Sequence, residues 1–328
     1  MKDKIIAIDL GGTTAKLAII RVDGAIEHEW IVDTDKSNQG SLIVPNLIDS
    51  IRSTLSNLDI HSQDLLGIGM GSPGTVSSQD ETVIGAYNLN WKNRQEVGAQ
   101  FREAFQLPFA IANDADVAAL GEQWLGAGDR VQDLVMVTLG TGVGGGVIVD
   151  GKIVEGSSGG AGEIGHITIL PDSPITCTCG KAGCLEALAS STGLINLVHH
   201  YQASYEGESE FCQLVRDNQK FEAKDVFEAA KAGDYFAMEM VDFYSYYLGL
   251  AISHIINILN PAIVVLGGGV SNAGDFLLGK VKENCYPYVF EPLRAATSVR
   301  LAELGNQAGV LGAAQLINQL VTEEGRRI

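Results

Sequence analysis

Residues 162–190 read GEIGHITILPDSPITCTCGKAGCLEALAS, and within them His166, Cys177, Cys179 and Cys184 bring one imidazole and three thiols into 19 positions. One nitrogen and three sulfurs are the number a closed tetrahedral zinc site uses. A redox pair would be C-x-x-C at a helix N-terminus; here C-x-C is followed by C-x-x-x-x-C, with Gly180 and Gly183 allowing a tight knuckle. The spacing predicts a structural zinc site, with free thiols as the alternative. Four protein ligands leave no position for water, so the metal would shape the region and not react. Glu163 lies three residues before His166 and Glu186 two residues after Cys184. Such a knot would tie together two carboxylates, which suit the adjacent hydroxyls of a sugar ring, and His166 could bind metal with one ring nitrogen and a hydroxyl with the other. The alternative is that both glutamates are solvated surface groups, or that Glu186 is a charge at a helix N-terminus.

A second constellation is LPFAIANDADVAALGEQWLGAG. It reads as a strand, the doublet Asn113-Asp114, and a helix with Ala115, Ala118, Ala119 and Glu122 at helical spacing, ending at Gly126. Asp114 then sits at a strand tip. Asn and Asp are favoured helix caps. One of the two can cap while the other works, an amide orienting a hydroxyl and a carboxylate accepting its proton.

The elements that must position these groups are glycine turns. IIAIDLGGTTAKLAIIRVDG, residues 5–24, reads as strand, turn, strand, turn, and LVMVTLGTGVGGGVIVDGK, residues 134–152, repeats the unit. With Leu10 set on Leu139, Gly11 falls on Gly140 and Thr13 on Gly142. Each turn is either an ordinary hairpin or a run of bare N–H groups and hydroxyls that can hold an anion, and two together would clamp a polyphosphate. Gly140, Gly142 and Gly145 fit G-x-G-x-x-G, but that fingerprint needs a helix after the glycines and here a strand comes next. A third glycine element, NPAIVVLGGGVSNAGDFL, is a short buried strand whose glycines 267–269 open a helix. It is either a plain turn or a candidate for the nucleoside.

The totals exclude several classes. The chain has 328 residues, 46% hydrophobic, enough for a large core and about two domains. A net charge of −18 argues against nucleic-acid or membrane-surface partners. The first apolar run is too short for a secretory signal, and five cysteines, three of them clustered, make no disulfide framework, so a cytoplasmic setting is expected. Residues 243–274 are uncharged and long enough to span a membrane, yet His254, Asn257, Asn260, Pro261 and three glycines interrupt them. They read as a buried helix, then a buried strand. Cys212 and Cys285 read as buried thiols, His199-His200 as a helix end, residues 205–211 as a solvated loop, and the aromatic run 235–251 as core or subunit contact.

Taken in order, AIDLGGTT, GMGSPGTV, NDADVAALGE, TLGTGVGGGVI, GEIGH, CTCGKAGCLEALAS and VVLGGGVS resemble the ROK family of sugar kinases and sugar-responsive repressors, and within it the bacterial glucokinases. The resemblance covers residues 5 to about 315. C-x-C-G-x-x-G-C-x-E with its upstream E-x-x-H is its specific part. It implies an α/β chain of the two-domain actin-like ATPase and hexokinase (ribonuclease H-like) fold with a structural zinc site. Residues 1–113 with 312–328 would form a smaller domain, and 114–311 a larger one bearing the zinc knuckle, with the C-terminal helix returning to the first. It further implies ATP-dependent phosphorylation of a hexose 6-hydroxyl. By matching motif, Asp114 would be the general base; Asn113, Glu163, His166 and Glu186 would bind sugar hydroxyls; Gly74 and Asn88 would line the same pocket. Asp9, Gly11, Gly12 and Thr13 would serve the phosphates and magnesium, Gly140, Thr141 and Gly142 the phosphates, and Gly267 and Gly268 the adenosine side. Glucose is the expected substrate, with mannose, fructose or N-acetylmannosamine as alternatives, and a homodimer is expected. A repressor of the family would carry a helix-turn-helix ahead of its first glycine loop, which here begins at residue 9, so the kinase is the expectation. An ATPase of the broader fold would share the hairpins without needing the zinc knot.

Overall fold

The computed structural model describes residues 2–326. Met1 and the last two residues of the expected smaller domain, 327 and 328, lie outside the described residues. Twelve strands appear among them: β1 Lys4–Leu10, β2 Thr14–Arg21, β3 Ile26–Asp33, β4 Leu65–Ser72, β5 Thr75–Ser77, β6 Thr82–Ile84, β7 Phe109–Asn113, β8 Leu134–Leu139, β9 Val143–Val149, β10 Lys152–Ile153, β11 Ile263–Gly267 and β12 Ser298–Leu301. They form two five-stranded sheets of the same plan, β3-β2-β1-β4-β7 and β10-β9-β8-β11-β12, and a separate β5-β6 hairpin. In each sheet a three-stranded antiparallel meander is extended by two parallel strands. The duplicated unit seen in the sequence is therefore part of a duplicated sheet.

The parallel strands are apolar on both faces because both faces are covered. On the first sheet, helix Ile43–Asn57 packs its buried Leu47, Ile51 and Leu55 against one face. The C-terminal helix, Ala308–Arg326, buries Val310, Ala313, Ala314 and Ile317 against the other. In the second half, helix Tyr235–Leu259 runs through a core with Phe236, Tyr244, Leu248 and Ile252 fully buried. That helix and β11 account for the uncharged stretch, and no helix among the described residues is long and apolar enough to cross a membrane. Cys212 and Cys285 are buried, as expected.

One expectation is corrected. Residues 205–211 are not all loop: Ser209 caps helix Glu210–Arg216, accepting the Cys212 N–H at 2.8 Å, and Phe211 is buried. The hydroxyl of Ser209 in turn donates to the Asp234 carboxylate at 2.8 Å, which anchors a start the acidic composition hid.

The helix Asp114–Leu125 comes directly after β7 and lies between the sheets, touching β4, β8 and β9 and crossing the C-terminal helix.

Candidate functional site

A cleft of about 850 Å³ opens between the two sheets. The first sheet contributes Asp9 from the end of β1, Gly11 from the turn after it, and Lys16 from β2; the loop after β4 contributes Gly74. The β7 end supplies Asn113 and Asp114. From the second half come Gly140 and Gly142 of the β8-β9 turn, Glu163, Glu186 and Gly268. Strand ends and turns face the gap because that is where the backbone leaves its ladder.

The two turns are closed by their own amides: Gly11 N–H donates to Thr14 O and Gly140 N–H to Gly142 O, each at 3.0 Å. Gly12 lies against the side chain of Asn88, so Asn88 abuts the first turn, and neither residue lines the cleft. Thr13, at the tip, is exposed and also outside that lining.

Asn113 caps the inter-sheet helix through its Oδ1, which accepts the Ala115 N–H at 2.9 Å, and its Nδ2 donates to Gly74 O at 3.1 Å. Gly74 has φ +94° and no space for a Cβ beside Ala86, which is what that turn requires of it. Asp114 Oδ1 also accepts from Ala115 N–H at 2.9 Å, while the carboxylate faces the cleft. Desolvation by the cleft walls raises its pKa above the ordinary range; the Ala115 amide opposes this, and Glu163 adds to it. Asp9 is pushed up to about 6, first by burial and then by Asp114, with Lys16 pulling the other way.

Lys16 is a cleft residue that sequence reasoning missed. Asp9 and Lys16 are directly paired across the β1-β2 hairpin, and the ammonium donates to Asn306 O at 2.8 Å and lies 3.3 Å from Glu29. Asp116, on the same helix as Asp114 but outside the cleft lining, is a second titratable group that the sequence does not single out. It is 7% exposed, its Oδ1 has no partner, and burial, Glu155 and Asp114 drive it up to about 7.

Four ligand atoms, from His166, Cys177, Cys179 and Cys184, lie within 4.8 Å of one another. Cys179 Sγ to Cys184 Sγ is 3.6 Å and Cys177 Sγ to His166 Nδ1 is 3.7 Å. A zinc–sulfur bond of about 2.3 Å gives tetrahedral edges of roughly 3.8 Å, so the donors fit zinc. The 3.6 Å separation is far outside a disulfide. Burial and the neighbouring thiols push Cys184 up to about 12, a cost that a cation at the centre would relieve. Gly180, at φ +86°, turns the knuckle, and Leu185 N–H donates to Ile167 O at 2.9 Å, holding the two ligand-bearing segments together.

The two glutamates flank this cluster from the cleft side. His166 Nε2 is 3.9 Å from Glu163 Oε2, leaving Nδ1 toward the sulfurs. Glu186, in the first turn of helix Leu185–Ala189, accepts the Val143 N–H through Oε2 at 3.1 Å and the Thr178 hydroxyl through Oε1 at 3.0 Å. A Cβ on Gly142 would strike that carboxylate, which is why the turn is bare there.

Beyond the β8-β9 turn is a second cavity of about 520 Å³, and Gly140 borders both. Thr141, Ser191, Ile195, Phe227, Val270 and Asn272 are among its walls, an apolar slot with polar edges. Gly267 is buried as the last residue of β11, and Gly268 and Gly269 are the exposed pair, facing the cleft and the second cavity respectively.

The ROK family model matches residues 5–320. A glucokinase of Halalkalibacterium halodurans is 42% identical over 319 residues, covering 96% of this chain and 94% of that protein. Among solved structures, a ROK hexokinase from Thermus thermophilus is 29% identical with a TM-score of 0.80, covering 98% of this chain and all of that one. A ROK family glucokinase from Streptomyces griseus, solved in complex with glucose and AMPPNP, is 29% identical with a TM-score of 0.74, covering 96% of this chain and 99% of that one.

Proposed function

The chain belongs to the ROK family, and from that membership we propose that it is an ATP-dependent hexokinase that transfers the γ-phosphoryl group to the 6-hydroxyl of glucose. The observation that carries this reading is Asp114: a carboxylate at a strand tip, already capped for by its neighbour Asn113, in a cleft that also holds Glu163, Glu186 and both glycine turns.

In this reading Asn113, Glu163, His166 and Glu186 bind the sugar hydroxyls, with Gly74 lining the pocket and Asn88 acting only from behind it, against Gly12. Asp114 accepts the proton of the 6-hydroxyl as that oxygen attacks the γ-phosphorus, and the bond from phosphorus to the bridging oxygen of ADP breaks. Phosphoryl transfer asks mainly for alignment and for charge neutralisation; in this reading the turns closed at Gly11 and Gly140 present the amides of Gly12 and Thr13 and of Thr141 and Gly142 as the donors. The nucleoside enters the second cavity past Gly268. Magnesium bound with ATP supplies further positive charge at the phosphates, and Asp9 is the residue that would hold it. His166, Cys177, Cys179 and Cys184 would hold a structural zinc. We place the division between lobes at 1–113 with 312–328 against 114–311. A cytoplasmic homodimer completes the reading; exposed Ile258, Tyr288 and Phe290, linked through Asn257 to one patch, support self-association.

The test is a coupled assay of ADP release with glucose, mannose, fructose and N-acetylmannosamine, beside elemental analysis for one zinc per chain. Release that depends on a hexose, glucose above the others, is the expected result. Release indifferent to sugar would point to an ATPase.

A further inference from the structure

Glu122 lies within the inter-sheet helix, is completely buried, and touches none of the reacting groups. Its hydrogen-bond partners among the described residues are backbone amides: Oε1 accepts from Glu303 N at 3.1 Å and Leu304 N at 2.8 Å, and Oε2 from Ala127 N at 2.9 Å and Glu303 N at 3.1 Å. A buried carboxylate is retained at a desolvation cost, and three amides aimed at two oxygens are what offset it.

Glu303 and Leu304 begin the segment that carries the chain from β12 back to the C-terminal helix. The residues after them face the cleft: Gly305, Asn306, Ala308 and Gly309 line it, Asn306 O accepts the ammonium of Lys16 at 2.8 Å, and Gly309 lies so close to the Asp9 carboxylate that a Cβ there would strike it. The same segment is seated from beside Glu122 as well. Gly121 meets Ala308 O, and Gly312 meets Val117 O, so the two helices touch backbone to backbone with no side chain to spare.

Resting on the kinase reading, we infer that Glu122 is a positioning residue for the nucleotide side of the reaction. It fixes residues 303–304 to the inter-sheet helix, and through residues 305–309 it sets where Asp9 and Lys16 stand beneath the phosphates. A side chain with a single acceptor cannot serve all three amides. Its loss lets the segment shift against Asp9 while the sugar groups, carried by β7, the knuckle and helix Leu185–Ala189, keep their places.

Glu122→Gln in the full-length chain tests this. The expected result is a folded, zinc-loaded variant whose kcat/KM for ATP falls about tenfold or more while its calorimetric Kd for glucose stays within about twofold. Hydrogen exchange at amides 303–304 should quicken, with residues 113–117 unchanged. A purely structural role would lower Tm and leave the kinetics of the folded enzyme alone, or move the ATP and glucose constants together; either result overturns the inference. Should the variant fail to fold, the wild-type chain decides: a non-hydrolysable ATP analogue should slow exchange across 303–309 and glucose should not, and equal or absent responses overturn it. Sugar-independent ADP release by the wild type would sink the kinase reading while leaving these nucleotide-side measurements to stand or fall by themselves.

Discussion

Glu186 and Val143, 43 residues apart, are joined by a 3.1 Å hydrogen bond from the Val143 amide to Glu186 Oε2, so the carboxylate beside the His166, Cys177, Cys179 and Cys184 cluster also braces the β8-β9 turn. Its other oxygen accepts the hydroxyl of Thr178, which stands between two of the thiols. In the kinase reading that hydroxyl holds Glu186 in the orientation a sugar meets. Thr178→Val keeps the shape and removes the donor. One such bond to a charged group in a partly open site is worth about 1 kcal/mol, so the KM for glucose should rise about fivefold with kcat nearly unchanged. Steady-state kinetics check this, and an unchanged KM would count against Glu186 as a sugar ligand.

Asp114 is separable from the fold. Because Asn113 Oδ1 accepts the Ala115 N–H on its own, the helix stays capped when Asp114 is removed. Asp114→Ala should therefore fold, bind glucose with an affinity within a few-fold of wild type, and lose turnover. General-base help is worth roughly 10²–10⁴-fold, so a variant retaining more than about a tenth of wild-type kcat would contradict the assigned role. Stopped assays at saturating ATP and glucose, with calorimetry for the sugar, measure both quantities.

Much of this site was legible because its signals are local. β-branched runs on either side of Gly11-Gly12 and of Gly140 announce hairpins, and a doublet at the end of FAIA announces a strand tip. The cysteine spacing likewise fixes a donor set within one stretch of chain. Lys16 was not legible, since its meaning comes from lying opposite Asp9 in the hairpin register and from a carbonyl 290 residues away. The second cavity stayed hidden for a similar reason: Ile195 and Phe227 come from two helices whose spacing speaks only of an amphipathic face, and Val270 comes after β11. A run of three glycines does not say where the strand stops, and β11 runs on to Gly267. Glu122 reads in sequence as one more helix former.

The Asp9–Lys16 pair makes a prediction about pH. Burial, then Asp114, raise Asp9 to about 6, and Lys16 opposes the rise. The carboxylate form is the one that can serve a phosphate-bound cation, so kcat/KM for ATP should fall as the pH drops through about 6, by about tenfold per pH unit once Asp9 is mostly protonated. Lys16→Met removes the opposing charge, and the bend in the profile should then move to higher pH. A bend that stays where it is in the variant would mean that another group sets it.

Asp116 makes a prediction about stability, with an unambiguous sign. Its carboxyl is 7% exposed, with one oxygen unpartnered, and burial, Glu155 and Asp114 raise its folded pKa to about 7 from an ordinary 3.8. Between pH 3.8 and about 7 the folded state binds the proton that the unfolded state has released, so stability falls as pH rises through that window. Above it the full cost is present: about 1.4 kcal/mol per unit, hence up to about 4 kcal/mol. Asp116→Asn carries no charge to desolvate, and at pH 8 its Tm should exceed that of the wild type by about 3–6 °C. The gain should shrink as the pH is lowered and vanish near pH 4, where both side chains are neutral in the folded state. A thermal-denaturation series from pH 4 to 8 reads this directly. A gain independent of pH would trace to packing, and a loss at pH 8 would mean that the Val147 amide, which opposes the rise, holds the ionised carboxylate more strongly than burial penalises it.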